Sequence, residues 1–427
     1  MKYMTKILVN SVIIFSQKFN LPFLFTLIFY LKLKKKIFNR KKNKEKKLII
    51  LAKSGGNEDI IYSVKNGISK KNIYLSNRDD LRTIHNLFTN NSSVNEYYKY
   101  NVSREIDNKN YIEFLKKFLK YLKLLIGAFE FVSFNFNYRG IFPLAHTCDI
   151  KQVNFYICFK ECLSTKFELK IITGIYKNYY KSFNIFKKIS TYNNLVKNQL
   201  IKSKLINKKK IDVIGYPRLP NKKLKKNQNL NVTFFLIEPE IFFGAFKHNY
   251  IFKTIQNLTS ENINKKCDWS PLLNECLNSI IMISKVYPNI TFNLKGKAGV
   301  HSNIIEKLKK KNLPNNIKIF DGGIGNKFIE NSELIISFKS TVIYESMFLK
   351  KSIIIPYFKK YRTKPYNLFI NEYPSIITAS SKSDFEQKIL NFIKQKSKYN
   401  SYDLTFAKKY LGNPLYSKNK LRNFLKI

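Results

Sequence analysis

The sequence predicts an α/β protein with two successive domains, each built on a parallel sheet. The chain has 427 residues, which is long for one compact domain, and 44% of them are hydrophobic, so two cores can form. Apolar stretches of strand length alternate with segments of helix length on both sides of one polar stretch, "PNKKLKKNQNL" (220–230). This alternation is typical of parallel strands with helices on both faces.

The first domain is predicted over residues 47–225. Strands are expected at 47–52, 71–76, 129–138 and 153–160, with helices at 58–67, 78–88 and 104–126. Two further apolar stretches, 185–193 and 210–217, flank a helical pattern at 194–204. The alternation of apolar and polar residues in "FEFVSFNFNY" predicts the strand over 129–138. Short apolar runs predict the other strands, and segments of helix length between them predict the helices.

The second domain is predicted over residues 226–400, and residues 401–427 are expected to form C-terminal helices. Its expected strands are 231–237, 289–295, 316–320, 333–338, 352–358 and 375–379, and its expected helices are 271–286, 301–312, 325–331, 341–349 and 381–396. Two such domains in succession are the architecture of an enzyme with two Rossmann-like halves facing a cleft. Ligands in open α/β sheets bind beyond the carboxyl ends of the strands.

The net charge of +49 does not predict a nucleic-acid partner. Only eight of the 77 basic residues are Arg, and the lysines are spread along the whole chain. Proteins that read bases rely on Arg for bidentate contacts that Lys cannot copy. The lysine excess is compatible with an anionic membrane surface as a partner.

The cysteines and histidines predict neither disulfides nor a metal site. The five cysteines form no CxxC pair, and the four histidines are scattered without an HExxH pattern. A reducing compartment fits this usage best, so a cytoplasmic location is expected. No metal ligands are assigned.

Residues 1–46 are predicted to be an apolar and polybasic segment that contacts a membrane. The longest apolar run there is about eleven residues, whereas a spanning helix needs roughly twenty. The run is followed by "KLKKKIFNRKKNKEKK", which is typical of interfacial segments on the cytoplasmic face. The alternative is an apolar helix packed on the first domain.

The stretch "SELIISFKSTVIYESMFLKKSIIIPYF" (332–358) is the best candidate for a ligand site. A strand, a polar turn and a helix follow one another, which places Ser340 and Thr341 at a helix N-terminus, where anions bind. Glu345 lies one turn further along the same face and can accept both hydroxyls of a ribose. The alternative is a hydroxyl helix cap with an exposed glutamate. The glycine pair Gly322 and Gly323, which also follows a strand end, favours the ligand site.

Three stretches resemble GT-B glycosyltransferases, especially the branch near CDP-glycerol glycerophosphotransferases and surface-carbohydrate biosynthesis proteins. Residues 332–358 look like their donor-nucleotide motif. "IDVIGYPRLP" (211–220) is similar to the segment that closes their first domain, although Pro220 stands where Asp is commoner. "FYICFKECLST" (155–165) resembles their strand-to-loop segment. The likeness covers roughly residues 130–395.

The resemblance implies a donor site without a required cofactor. Ser340, Thr341 and Glu345 would hold the donor's phosphate and ribose, and Lys295 and Lys297 would face its diphosphate. Gly322 and Gly323 would belong to the same site, His301 could help to neutralise the phosphates, and Arg218 would touch phosphate or bridge the domains. A nucleotide that leaves with negative charge needs such cations.

A base for the acceptor hydroxyl is expected from the first domain. Glu161 is the first candidate because it follows the strand "VNFYICF". His146 and Asp149, in "PLAHTCD", are the second. Glu161 could instead pair with Lys160 or cap a helix.

The sequence therefore predicts a transferase that moves a sugar or a polyol phosphate from a nucleotide-sugar or CDP-polyol donor. Its acceptor would be a glycan or a lipid-linked intermediate of a cell-surface polysaccharide, and the enzyme would be peripheral on the inner membrane face. The alternatives are an enzyme like the nucleotide-sugar 2-epimerases and an inactive GT-B-fold protein that binds a membrane surface.

Overall fold

The chain folds into two compact units, seen in a computed structural model. The first unit contains Met1–Ser164, Leu169–Arg218 and Gly412–Ile427, and the second contains Thr165–Glu168 and Leu219–Leu411. The structure describes residues 2–36, 47–52, 57–64, 71–89, 108–136, 140–160, 162–165, 168–169, 173–174, 177, 182–219, 230–238, 268–297, 299–323, 325–362, 373–395 and 402–427.

The first unit is built on a seven-stranded sheet in the described part of the chain. Its strands are β1 (Lys34–Lys36), β2 (Lys47–Ala52), β3 (Asn72–Asn77), β4 (Phe129–Ser133), β5 (Phe155–Cys158), β6 (Lys188–Thr191) and β7 (Ile211–Val213). They are ordered β1-β3-β2-β4-β5-β6-β7, and all neighbours are parallel except β1 and β3. Every residue of β4 and β5 is buried, as expected for central strands covered on both faces.

The helices of the first unit follow the strands. They are α1 (Lys2–Lys18), α2 (Pro22–Leu31), α3 (Asn57–Val64), α4 (Arg78–Thr89), α5 (Lys109–Ile126), α6 (Ile141–Ile150), α7 (Asn194–Lys202) and, from the C-terminus, α14 (Ser417–Leu425). The Asn108 side chain caps α5 by accepting from the Tyr111 N–H. Residues 104–107 of the predicted helix lie outside the described residues.

The apolar N-terminal segment forms the two helices α1 and α2. The side chains of Phe25 and Phe29 are buried, and their rings pack against Phe114 and Phe118 of α5 at centroid distances of 5.2 to 5.8 Å. None of the helices in the described ranges combines the length and the apolar character needed to cross a bilayer.

The second unit contains a six-stranded parallel sheet among its described residues. Its strands are β8 (Asn231–Phe235), β9 (Thr291–Gly296), β10 (Ile317–Asp321), β11 (Leu334–Ile336), β12 (Ser352–Pro356) and β13 (Thr378–Ala379). The strands are ordered β10-β9-β8-β11-β12-β13. Successive strands are added on one side of β8 up to β10 and then on its other side from β11, so the strand order reverses between β8 and β11. This 3-2-1-4-5-6 order is that of dinucleotide-binding Rossmann sheets, in which the ligand crevice lies at the reversal.

The helices of the second unit are α8 (Ser270–Val286), α9 (Ser302–Lys309), α10 (Gly325–Glu330), α11 (Thr341–Phe348), α12 (Lys382–Lys394) and α13 (Leu404–Leu411). The sequence predicts each of them, with ends that differ by a few residues. The prediction of an α/β fold with two parallel sheets is confirmed.

The last helix returns to the first unit. Gly412 makes this return possible, because a Cβ there would lie 2.1 Å from the carbonyl oxygen of Tyr192. Further on, α14 packs against α3, and the Lys71 ammonium donates to the Leu425 carbonyl oxygen at 2.7 Å. Residues 401–427 therefore do not form one separate C-terminal unit. The predicted boundary at 225 lies outside the described residues, and the units divide at Arg218 and Leu219.

Several strands are shorter than predicted, and one strand was not predicted. The strand predicted over 129–138 ends at Ser133, whose hydroxyl donates to the Asn135 carbonyl oxygen in a local turn. The strand β1 lies inside the lysine run, where no strand is expected. It forms the edge of the sheet, and edge lysines discourage pairing with other chains.

Candidate functional site

The candidate site lies at the carboxyl edge of the second sheet, where the strand order reverses. Phe235 at the end of β8 is paired on one side with Lys295 of β9, and Phe234 is paired on the other side with Ile336 of β11. The backbone of Lys295 and the end of β11 are therefore about two interstrand spacings apart, roughly 10 Å. Both belong to the same edge of the sheet.

Aromatic packing holds the turn between β11 and α11. Phe338 is buried, and its ring lies 4.7 Å from the Trp269 ring and 6.4 Å from the Tyr357 ring. The next residue, Lys339, has φ of +44°, a left-handed conformation that is strained for a residue with a Cβ. Its ammonium lies 3.1 Å from Glu168. The turn is thus fixed in an uncommon conformation.

Ser340 and Thr341 lie at the N-terminus of α11, as predicted. Ser340 is the N-cap residue, and its hydroxyl accepts from the Val342 N–H at 3.4 Å. Thr341 is exposed. Glu345, one turn later, is only 4% exposed. The structure therefore contains the hydroxyl cap of the alternative interpretation, but not its exposed glutamate.

Lys295 is a buried cation at the end of β9. Its side chain is 7% exposed, and its ammonium donates to the Gly296 carbonyl oxygen at 2.6 Å and lies 5.5 Å from the centre of the Phe328 ring. Burial lowers the pKa of the Lys295 ammonium, and the charge of Asp321 partly opposes this shift. An anion at this place would compensate the buried charge.

The glycine pair adjoins Lys295. Gly322 and Gly323 have φ of +87° and +95°, a range that favours glycine. The Gly322 N–H donates to the same Gly296 carbonyl oxygen at 3.2 Å. A Cβ at Gly323 would lie 4.0 Å from Cε of Lys295. The structure thus brings together three predicted residues: Lys295, Gly322 and Gly323.

Lys297 and His301 have different environments. Lys297 is exposed and forms a 2.9 Å ion pair with Glu238. His301 is buried, and its Nδ1 accepts from the Lys297 N–H at 3.0 Å, while Nε2 lies 3.1 Å from the Ile237 carbonyl oxygen. An Nδ1 that accepts leaves the proton on Nε2. His301 therefore joins the segments after β8 and β9, and both of its ring nitrogens are engaged in that role.

In the first unit, Arg218 belongs to a cluster around Asp59 that sequence reasoning did not find. Nε of Arg218 lies 2.5 Å from Asp59, and the Tyr192 hydroxyl donates to the same carboxylate at 2.6 Å. Asp59 is 2% exposed. Burial raises its pKa, against the opposing charge of Arg218. The acidic pair Glu58 and Asp59, at the start of the helix predicted over 58–67, was the available signal.

Of the three predicted bases, the structure describes His146 and Asp149. Glu161 lies outside the described residues. His146 and Asp149 lie on α6, which begins after the carboxyl end of β4; His146 is partly buried and Asp149 is exposed in the last turn. Because helices in such units run antiparallel to the strands, this last turn is near the opposite edge of the sheet. Asp149 is therefore not at the carboxyl edge of the first sheet.

No protein-family model and no curated protein matches the chain. Among solved structures, a UDP-N-acetylglucosamine 2-epimerase aligns with 90% of this chain and 96% of its own, at 10% identity and a TM-score of 0.50. A putative UDP-N-acetylglucosamine 2-epimerase from Listeria monocytogenes aligns over 90% and 98%, at 8% identity and the same TM-score. The glycotransferase of kitacinnamycin aligns with 89% of this chain and 99% of its own, at 8% identity and a TM-score of 0.45.

The first two likenesses show the fold. The chain shares a fold of two Rossmann-like domains with these two structures, so the predicted fold is confirmed. Membership of the GT-B superfamily stays a prediction. The narrower likeness to the CDP-glycerol branch stays a prediction.

Proposed function

We propose that the protein is a transferase that uses a nucleotide-activated sugar, with the donor bound in the second unit. One observation carries the proposal: the buried ammonium of Lys295 and the glycine pair lie on the same sheet edge as the capped N-terminus of α11, at the reversal of strand order. Rossmann-type sheets bind nucleotides at this point. A buried cation and free helix N–H groups are both suited to phosphate.

The proposed donor contacts follow the chemistry of each group. Lys295 would neutralise part of the diphosphate charge, and the N–H groups of Gly323 and Thr341 would donate to its oxygens. Gly322, whose N–H donates to the Gly296 carbonyl oxygen, would shape the turn beside them. Lys297 would contribute after release from Glu238. The Glu345 carboxylate would accept from ribose hydroxyls, as a charged acceptor does most strongly.

The transfer itself would be a displacement at the sugar. The acceptor hydroxyl oxygen forms a bond to the anomeric carbon while the bond to the diphosphate breaks, and a base takes the hydroxyl proton. Glu161 remains the proposed base. The negative charge that develops on the leaving diphosphate is what Lys295 would stabilise. The acceptor would be a glycan or a lipid-linked intermediate.

An epimerase that acts on a nucleotide sugar is the second candidate, since the two structures that share this fold at a TM-score of 0.50 carry that name. The two activities are separable with one substrate set. An epimerase changes the configuration of the sugar without an acceptor, whereas a transferase releases the nucleoside diphosphate only when an acceptor hydroxyl is present.

The first test is thermal unfolding with UDP, CDP, GDP, CMP and NAD, on the wild type and on Glu345→Gln. A ligand at about 100 times its Kd stabilises the folded state by about 2.7 kcal/mol. We expect one nucleoside diphosphate to stabilise the wild type. Its Kd should be at least about tenfold higher for Glu345→Gln. Glu306→Gln, an exposed site on α9, is the matched control. Absence of stabilisation by every nucleotide at saturation would contradict the proposal.

A further inference from the structure

We infer that the face of the first unit formed by α1, α2 and α5 docks on a bilayer that contains anionic phospholipid. The inference is independent of the proposed nucleotide site and rests on an exposed apolar corner, a lysine-lined pocket and the contact that makes them one surface.

The apolar corner is formed by Phe15, Phe19, Leu21 and Phe23, where α1 ends and α2 begins. These side chains are 48%, 55%, 42% and 51% exposed. The ring centroids of Phe15 and Phe19 lie 4.4 Å apart, so these two side chains form one contiguous exposed apolar surface. Contiguous exposed apolar side chains at a surface mark an interaction site.

The fold keeps this corner facing outward. The opposite side of α2 is anchored by Phe25 and Phe29, both buried against α5. The Leu21 N–H donates to the Ser16 carbonyl oxygen at 2.8 Å, and the Ser16 hydroxyl donates to the Leu21 carbonyl oxygen at 2.8 Å. The bend between the helices is thus tied by two hydrogen bonds, and the corner cannot turn inward without breaking this packing.

The cationic pocket lies on the exposed face of α5, near the amino-terminal edge of the sheet. It has a volume of about 430 Å³. Five lysines line it, together with Glu113: Lys116, Lys117, Lys120, Lys123 and Lys151. Among the described residues, Lys116 is the one pocket lysine with an ion pair, to Glu113 at 2.6 Å. An excess of lysine ammonium groups around an open concavity fits phosphate headgroups.

Tyr121 joins the two features. Its ring contacts the Phe23 ring of the apolar corner at 5.4 Å. It lies one helical turn from Lys117 of the cationic pocket, since residues four apart share a helix face. Leu124, 74% exposed, follows on the same face. The surface therefore passes from apolar to cationic over one side of α5.

This order matches the cross-section of a bilayer interface. Aromatic and aliphatic side chains enter the boundary between headgroups and acyl chains, and lysines meet the headgroup phosphates beside them. A nucleic acid would meet the lysines, but it offers nothing to cover Leu21 and Leu124. The charge and the exposed apolar area together favour a membrane over other polyanions.

The test is flotation of the full chain with vesicles of phosphatidylcholine alone or mixed with phosphatidylglycerol. The pocket variant is Lys117→Gln/Lys120→Gln/Lys123→Gln, and its control is Lys307→Gln/Lys309→Gln/Lys310→Gln, three exposed lysines at α9. The corner variant is Phe15→Gln/Phe19→Gln, and its control is Met282→Gln/Val286→Gln, which are 50% and 67% exposed on α8. All substituted side chains are exposed, so unfolding midpoints should remain close to the wild type.

We expect binding to anionic vesicles only, weakened on the order of 100-fold by the pocket variant, since each lysine near the surface contributes about fivefold. The corner variant should also lose most of the binding, and the two controls should retain it. Equal binding to neutral vesicles would overturn the proposal. So would equal losses in the pocket variant and its control, which would indicate general attraction by a chain of net charge +49. Displacement from vesicles by heparin with no effect of the corner variant would replace the membrane by a soluble polyanion.

Discussion

Gly323 lies directly beside the buried side chain of Lys295: a Cβ at Gly323 would be 4.0 Å from Cε of the lysine. Gly323 follows β10, and Lys295 is the next-to-last residue of β9. The contact between them therefore depends on the parallel pairing of these two strands. The chain thus places a cation that is costly to bury next to a backbone segment whose conformation favours glycine. Arrangements that cost stability without an evident structural gain are typical of functional sites.

Lys295→Met should leave the free protein as stable as the wild type, or up to about 1 kcal/mol more stable. The substitution removes a buried charge whose pKa burial lowers, and apolar replacement of buried charges is often neutral or stabilising. The affinity for the nucleoside diphosphate should fall roughly 10- to 100-fold, the range for a charge-assisted hydrogen bond. Urea unfolding and nucleotide titration measure the two effects.

Lys318→Met, at an exposed position of β10, controls for the loss of one lysine charge and should change neither quantity measurably. If Lys295→Met destabilised the protein by several kcal/mol without a change in affinity, Lys295 would be a structural residue.

Gly323→Ala should destabilise the fold by about 1 to 2 kcal/mol, the cost of a left-handed conformation for a residue with a Cβ. The distances to Lys295 and Phe328 are ordinary contacts, so the cost lies in the backbone. Relaxation of this turn should also weaken nucleotide binding. Gly127→Ala, at φ of +73° in the first unit, also places a Cβ in a conformation that favours glycine. It should leave nucleotide affinity unchanged, and calorimetric titration of both variants checks this contrast.

Lys339→Gly should be about 1 kcal/mol more stable than Lys339→Ala. Both variants lose the ion pair with Glu168, but only glycine relieves the φ of +44°. The difference between the two unfolding free energies therefore isolates the backbone strain before α11. A difference near zero would mean that the surrounding packing, rather than strain, fixes this turn.

The sequence could predict those features that depend on neighbours in the chain. Ser340 at a helix start follows from a strand, a polar turn and a helical pattern within a few residues. The burial of Lys295 and its contact with Gly323 could not be predicted, because they depend on the pairing of β9 with β10. The return of α14 to the first unit was equally hidden, since its apolar period identifies a helix but not its partner.

The Asp59 cluster shows the same limit. In the sequence, Glu58 and Asp59 are only an acidic pair at a predicted helix start, and Arg218 belongs to a different motif, "IDVIGYPRLP". The fold brings Asp59, Tyr192 and Arg218 together because β2, β6 and β7 end at one edge of the first sheet.

Burial raises the pKa of Asp59, and Arg218 opposes the rise. A carboxyl with a raised pKa stabilises the fold while it is protonated. That contribution is fully present below its unfolded-state pKa of about 3.9 and is lost as pH rises through the folded-state value. Arg218→Ala removes the main counter-charge, so the loss should become larger at neutral pH.

We therefore expect Arg218→Ala to cost about 2 kcal/mol of unfolding free energy near neutral pH. This is less than the cost for a fully buried pair, because the Arg218 side chain is 28% exposed. The cost should shrink as the pH falls towards about 3, where Asp59 is protonated in both folded and unfolded chains. Arg82→Ala, at an exposed pair with Asp79, should cost under about 0.5 kcal/mol at each pH. Urea unfolding across this range measures both variants, and a cost for Arg218→Ala that is the same at every pH would contradict the assignment of Asp59 as the ionising partner.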